Sequence, residues 1–435
     1  MSKIASYFRF KELGTSFKTE AIAGVTTFVA MSYILFLNPN VLAAAGMDKG
    51  AVFTATAISA LVATAFMGIV AKYPIAIAPG LGVNAYFAYS VVIGMGVSWQ
   101  TAMAGILVAA IIFLVLTLTH VREKIIEAIP ANLRIAIAAG IGLFIAFIGL
   151  HNAGLIVANP ETMVSMGNLT EKPTLLAIFG IALTLILMIK KVPAAIFFGM
   201  VGTTVVGIAT GLIAMPKAIF ATAPSLAPTF GQAWTHLGDI DSFGMIVVAL
   251  TFLIVVFFDT AGTLIGLTEQ AGMLENGKMP RAGKALMADA VGMTVGATLG
   301  TSPTSAFVES SSGMAVGGRS GFASVVTAGL FGLALFFSPL LSVVTSQVTA
   351  PALIVVGILM SGNLKKIKWE DMAIAAPAFL IVVGMPLTYS ISDGIAFGFI
   401  AYPITMIAAK RRKEVNLFMY VLALIFVAFL FYTHH

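Results

Sequence analysis

The sequence predicts an all-α polytopic membrane protein of about fourteen spanning helices, arranged as two seven-span halves of opposite orientation. Three observations predict it. Of the 435 residues, 59% are hydrophobic and 10% charged, and the mean hydropathy is +1.03. Runs of about 20 apolar residues, the length that crosses a bilayer, recur almost end to end. The basic residues fall in short clusters between these runs. Finally, two segments that should break a helix occupy matching places in the two halves.

The spans read as 20–45, 51–71, 74–95, 100–120, 131–157, 173–190 and 193–213, then, after a polar connection at 216–242, as 243–267, 284–299, 304–317, 322–341, 347–361, 371–389 and 392–409. The halves are therefore 1–215 and 243–412, and a last apolar stretch at 417–432, within 413–435, either spans or lies at the surface. No polar stretch is long enough for a separate soluble domain. The first 18 residues are basic and polar, without the apolar core and small-residue site of a cleavable signal peptide. The absence of cysteine excludes disulfides and thiolate chemistry.

A net charge of +6 suggests nucleic acid, but the distribution argues otherwise. With the N-terminus inside and alternating spans, 21 of the 24 Lys and Arg residues lie inside, and only Lys49, Lys172 and Lys217 outside. This positive-inside bias sets the orientation. The expected surroundings are a lipid bilayer, not nucleic acid.

The third span carries Tyr73-Pro74-Ile75-Ala76-Ile77-Ala78-Pro79-Gly80-Leu81-Gly82-Val83-Asn84, and the tenth Gly300-Thr301-Ser302-Pro303-Thr304-Ser305-Ala306-Phe307-Val308-Glu309. Proline and glycine at this depth break the helix, and broken backbone in a bilayer needs internal partners or a wet cavity. Interrupted segments at corresponding positions of inverted halves point to a transport site.

Two acids sit beside these breaks. Asp259 lies inside 243–267, in Phe257-Phe258-Asp259-Thr260-Ala261-Gly262-Thr263, and Glu309 follows the second break. An intramembrane acid is costly and generally faces a cavity, handling substrate, ion or proton. An ionised carboxylate only accepts hydrogen bonds, so the pair suits ring N–H or amine donors such as a nucleobase presents. Low dielectric disfavours a doubly charged pair, which suits one acid to carry a proton. Thr260 and Thr263 add hydroxyls. Asp289 is a third acid, either a proton relay or the partner of Arg281 or Lys284 near the inner surface. Asn84 either bonds a heterocycle or caps a half-helix. Tyr86, Phe87 and Tyr89 either stack a planar ligand or pack. His151 reads as a satisfied polar residue. No histidine pair has zinc-ligand spacing, and the glycine-rich runs lack the Gly-Lys-Ser/Thr of a phosphate loop; no metal or cofactor is expected.

Several motifs taken together carry a resemblance: Phe17-Lys18-Thr19-Glu20-Ala21-Ile22-Ala23-Gly24, Ala78-Pro79-Gly80-Leu81-Gly82-Val83-Asn84-Ala85, Phe258-Asp259-Thr260-Ala261-Gly262-Thr263, and Gly300-Thr301-Ser302-Pro303 through Glu309-Ser310-Ser311-Ser312-Gly313. On these the chain resembles the AzgA-like purine permeases of the nucleobase–ascorbate (xanthine/uracil) superfamily. The resemblance implies two inverted seven-helix repeats, with short strands opening spans 3 and 10 and pairing at mid-membrane. It implies a core of spans 1–4 and 8–11 sliding on a gate of spans 5–7 and 12–14. It further implies proton-coupled uptake of hypoxanthine, guanine and adenine across a bacterial plasma membrane, and a homodimer through the gate. Carried over by position, Asp259 and Glu309 bind the purine, with Asn84 and the backbone around Ala85 and Val308 close by. The Ser310 that follows Glu309 departs from the wider superfamily, where Asn is common, and fits the AzgA branch. The rivals are an anion transporter of the same architecture, which two site acids disfavour, and an intramembrane acid-dyad enzyme.

Overall fold

The computed structural model describes residues 3–118, 129–240, 243–273 and 279–433. Arg122, Lys124 and Lys278 lie outside the described residues, as do the side chains of Phe257, Phe258 and Ala261 and the surroundings of Gly262.

Among the described residues, eight helices are long and apolar enough to cross a membrane, and shorter apolar helices join them. Span 1 comes in two pieces, Phe17–Met31 and Ile34–Ala44, separated at Ser32 and Tyr33. The Ser16 hydroxyl caps the first piece by accepting from the Thr19 N–H, which occupies one of a helix's four orphan donors. Span 2 is Lys49–Phe66, capped by Asp48, and continues as a wider turn at Met67–Ala71 that ends at Lys72 in the left-handed region. Span 4 is Trp99–Leu118 and span 5 Ala131–Asn152.

The fifth span was expected to run to 157. Its helix ends at Asn152 instead, and a small hairpin follows, β2 (Ile156–Asn159) paired antiparallel with β3 (Met163–Met166). The polar stretch Asn159–Thr162 turns the chain there: the Asn159 side chain accepts from the N–H groups of Glu161 and Thr162, a local bond that competes with helix.

Spans 6 and 7 are Lys172–Ile189 and Ala195–Ala209. Span 8, Phe243–Gln270, is 28 residues, about 42 Å at 1.5 Å per residue. Spans 9 and 11 are Ala282–Leu299 and Gly321–Ala334, the latter extended by a tighter helix at Leu335–Val343. Spans 12 to 14 are Ser346–Ser361, Met372–Thr388 and Ile391–Ala408. The last apolar stretch is a helix, Leu417–Thr433, packed on spans 14 and 8.

The spans pack in two groups. Span 9 lies against spans 2 and 4, span 11 against 1 and 2, and span 8 against 4. Separately, span 12 lies against 5, 6 and 7, and span 13 against 5 and 14. Small residues permit the closest approach in the second group. A Cβ on Gly357 would stand 2.5 Å from the Gly142 carbonyl oxygen. Such backbone proximity is how helices gain contact where lipid gives no hydrophobic drive.

Candidate functional site

The two broken spans meet. Span 3 opens as β1 (Ile77–Pro79) and span 10 as β4 (Thr304–Ala306). They pair antiparallel with Ile77 opposite Ala306, Ala78 opposite Ser305 and Pro79 opposite Thr304. Both strands are buried, so their backbone groups must be satisfied internally. The Gly80 N–H donates to the Pro303 carbonyl at 2.9 Å, and the Phe307 N–H to the Ala76 carbonyl at 3.0 Å. Thr64 serves Ile77 twice, accepting from its N–H and donating to its carbonyl. The Ser310 hydroxyl accepts from the Ala76 N–H. Beyond the strands the chain turns helical again, as Leu81–Ala85 with the wider Tyr86–Gly94 in span 3, and as Ser310–Ala315 in span 10.

The acids stand around this crossing. Asp259, half-buried in span 8, faces the Ser305 hydroxyl of β4. Gly80 lies directly beneath that serine: a Cβ there would meet Ser305 Oγ at 2.7 Å. Glu309, also half-buried, occupies the cap position before Ser310–Ala315 and accepts a hydrogen bond from the Tyr33 hydroxyl at 2.6 Å. Tyr33 sits at the interruption of span 1, so three broken segments converge on one carboxylate's surroundings.

Asp289 is fully buried within span 9, whereas Lys284 is exposed. Arg281, the other basic neighbour in sequence, is exposed as well. Thr260 donates to Asp289 Oδ2 at 2.7 Å, and Thr304 to Oδ1 at 3.0 Å. Consecutive residues on both sides thus bind two acids: Ser305 faces Asp259, while Thr304 and Thr260 hold Asp289.

Asn84 is buried and donates to Asn38 Oδ1 at 3.0 Å, and its own Oδ1 has no partner among the described residues. Asn38 is a hub. Its amide nitrogen donates to Thr56 and Thr301, and its oxygen also accepts from Ser302. One amide therefore ties spans 1, 2 and 3 to the loop that leads into β4. Ala85 and Phe87 are both buried in the main hydrophobic core. Thr263 is half-buried. Val308, beside Glu309, is 61% exposed.

Sequence reasoning missed Tyr33, Asn38, Ser305 and Glu20. Glu20 is fully buried and accepts from the Thr15 hydroxyl and the N–H groups of Arg319 and Ser320. It pins the glycine-rich turn after the span 10 half-helix to the foot of span 1. The signal available was a carboxylate four residues past a capping serine, in Ser16-Phe17-Lys18-Thr19-Glu20.

A bundle of membrane-length helices whose two interrupted segments pair antiparallel, with two half-buried acids and one fully buried acid around them, defines a membrane transporter. The chain matches the Permease family, the xanthine/uracil permeases, over residues 18–397, and it belongs to that family. It is 55% identical over 433 residues to the guanine/hypoxanthine permease PbuG of Bacillus subtilis (strain 168), covering 98% of both chains. It is 43% identical to the adenine permease AdeP of Escherichia coli (strain K12), covering 97% of this chain and 94% of that one. In fold it is similar to the transmembrane domain of the cyanobacterial bicarbonate transporter BicA, with a TM-score of 0.60 at 16% identity, over 90% of this chain and 97% of the other. The protein is thus a multi-pass membrane permease and not an enzyme.

Proposed function

We propose that this permease imports purine nucleobases, hypoxanthine and guanine together with adenine, by proton symport across a bacterial plasma membrane. The observation that carries the reading is the placement of Asp259 and Glu309 around the paired strands β1 and β4. Carboxylates accept hydrogen bonds and repel anions. Hypoxanthine and guanine present ring N–H groups, guanine an amino group besides, and adenine an exocyclic amine. The relatives named for guanine, hypoxanthine and adenine support the same substrate class.

In this reading Asp259 and Glu309 take the purine's N–H groups. Asn84, with an unmet acceptor, and the backbone at Ala85 and Val308 complete the cradle, with the hydroxyls of Thr260 and Thr263 nearby. The coupled proton resides on Glu309 or Asp259, and Asp289 serves as a relay through Thr260. Spans 1–4 and 8–11 form a core that carries the site past a gate of spans 5–7 and 12–14, an elevator-like motion; the two packing groups described above support that division. The two halves are inverted repeats, the N-terminus is cytoplasmic, and the gate joins two copies in a dimer.

Uptake of labelled hypoxanthine into cells or proteoliposomes tests the reading. It should require a proton gradient, collapse with a protonophore, and be displaced by excess guanine but not by sulfate or bicarbonate. Displacement by the anions alone would instead assign an anion transporter.

A further inference from the structure

A cavity of about 520 Å³ lies apart from the acid pair, where the two packing groups face each other. Its walls come from the end of span 1 (Asn40), from span 3 (Tyr89), from the end of span 5 (His151, Asn152), from the start of span 12 (Thr349) and from the residue after span 13 (Tyr389). All are ends on the face opposite the N-terminus. The volume is that of a small-molecule pocket, roughly 300–1,000 Å³.

Two features mark it as more than a packing defect. Tyr389 has a left-handed backbone, φ 57° and ψ 26°, which costs a bulky residue free energy and persists only where surroundings enforce it. The Ser390 N–H bond to the Met385 carbonyl closes the helix end in this conformation, and Ser90 of span 3 ties it to the other group by donating to the Tyr389 carbonyl at 3.1 Å. The Tyr389 ring lies against Tyr89, centroids 6.0 Å apart and nearly perpendicular, with Phe144 and Phe147 behind it. The rim, in turn, is polar and oriented. Asn152 donates to the Tyr89 hydroxyl at 3.3 Å, and His151 Nδ1 lies 3.3 Å from the Ile156 carbonyl of the hairpin. With Nδ1 donating there, Nε2 is left as an acceptor. Aromatic faces joined to amide and imidazole edges suit a flat, hydrogen-bonding heterocycle.

We propose that this cavity is an antechamber in which a purine nucleobase docks on Tyr89 and Tyr389 before it reaches Asp259 and Glu309. The assignment rests on the nucleobase reading above. Because Tyr89 lies in the Tyr86–Gly94 segment, which packs on spans 1 and 4 of one group, and Tyr389 closes span 13 of the other, the docked base bridges the surfaces that must slide, and it is released inward as they part.

The chain has no cysteine, so one introduced thiol reports the cavity. His151→Cys, and Asn152→Cys as a second reporter, are made in the full chain and in a chain also carrying Asp259→Asn and Glu309→Gln. Right-side-out vesicles are treated with a membrane-impermeant maleimide, with and without hypoxanthine. The thiol should label from outside, and hypoxanthine should slow labelling several-fold in both backgrounds. Adding Tyr89→Leu should abolish that protection. Protection that vanishes when the two acids are neutralised would place the base only at the inner site and overturn the antechamber, as would thiols at both positions inaccessible from outside. Hypoxanthine uptake by the unmutated chain in the same vesicles separates the two readings. Uptake without protection sinks the antechamber alone, and absence of uptake sinks both.

Discussion

Tyr33 donates its hydroxyl to Glu309 at 2.6 Å, across 276 residues of sequence. The bond joins the interruption of span 1 to the cap of the span 10 half-helix, so the first half of the chain positions an acid of the second. A hydrogen bond to a charged group contributes about 1.5–3 kcal/mol. Tyr33→Phe keeps the buried ring and removes the donor. The expected outcome is about a tenfold rise in KM for hypoxanthine uptake at unchanged surface expression, together with an altered pH profile. An unaltered KM and profile would detach Tyr33 from the site.

Gly80 touches the site by having no side chain. A Cβ there would stand 2.7 Å from Ser305 Oγ and displace the hydroxyl that faces Asp259. Gly80→Ala is expected to lower uptake more than tenfold while the protein still inserts, as judged by surface labelling. Wild-type uptake would show that the serine's position is immaterial.

Asn38 makes four hydrogen bonds, to Thr56, Thr301, Ser302 and Asn84. Asn38→Ala strands several buried polar groups at once, each worth about 1–3 kcal/mol. Thermal unfolding of the purified protein in detergent should show one of the larger losses of Tm among single substitutions in span 1. A loss no greater than that of Val41→Ala would mean that the network relaxes without it.

Acid should spare one surface joint until the pH falls into the ordinary carboxyl range. The Arg411 guanidinium pairs with Asp371 and Glu414 and holds both carboxyls below their usual values. A carboxyl depressed in the folded state stabilises it above the unfolded carboxyl range, about 4, and that contribution is lost as pH falls through the depressed folded value. Protease nicking in the segment between span 14 and the last helix should therefore be unchanged from about pH 7 to 5 and rise only at lower pH. Solvent screening keeps the effect small, and Arg411→Gln should remove the pH dependence. A rise in nicking between pH 7 and 6 would contradict the pairing.

The spans were legible because lipid demands long apolar runs, and the two breaks because Pro79 and Pro303 cannot continue a helix. The register of β1 with β4 was not, since pairing across more than 200 residues leaves no local trace. The interruption at Ser32 and Tyr33 contains neither glycine nor proline, so span 1 read as continuous. Asn38 drew no reading from sequence, since its role as hub depends on Thr301 and Ser302, brought close only by folding. Glu20 went unnoticed as a structural acid because its N–H partners at Arg319 and Ser320 lie in the other half of the chain. Asp289 read equally as a proton relay or as the partner of Arg281 or Lys284 because its neighbours in sequence are basic, whereas Thr260 and Thr304 bond it in space. Asp259 and Glu309 stood out because a carboxylate in lipid is expensive wherever its partners come from.

The most direct measurement is equilibrium binding of hypoxanthine to the purified permease by calorimetry, with Asp259→Asn and Glu309→Gln beside the unmutated chain. Each loses a charged acceptor worth about 1.5–3 kcal/mol, so each should bind at least about tenfold more weakly, and Glu309→Gln should also lose the pH dependence of binding. Wild-type affinity in both variants would contradict the claim that these two acids hold the substrate.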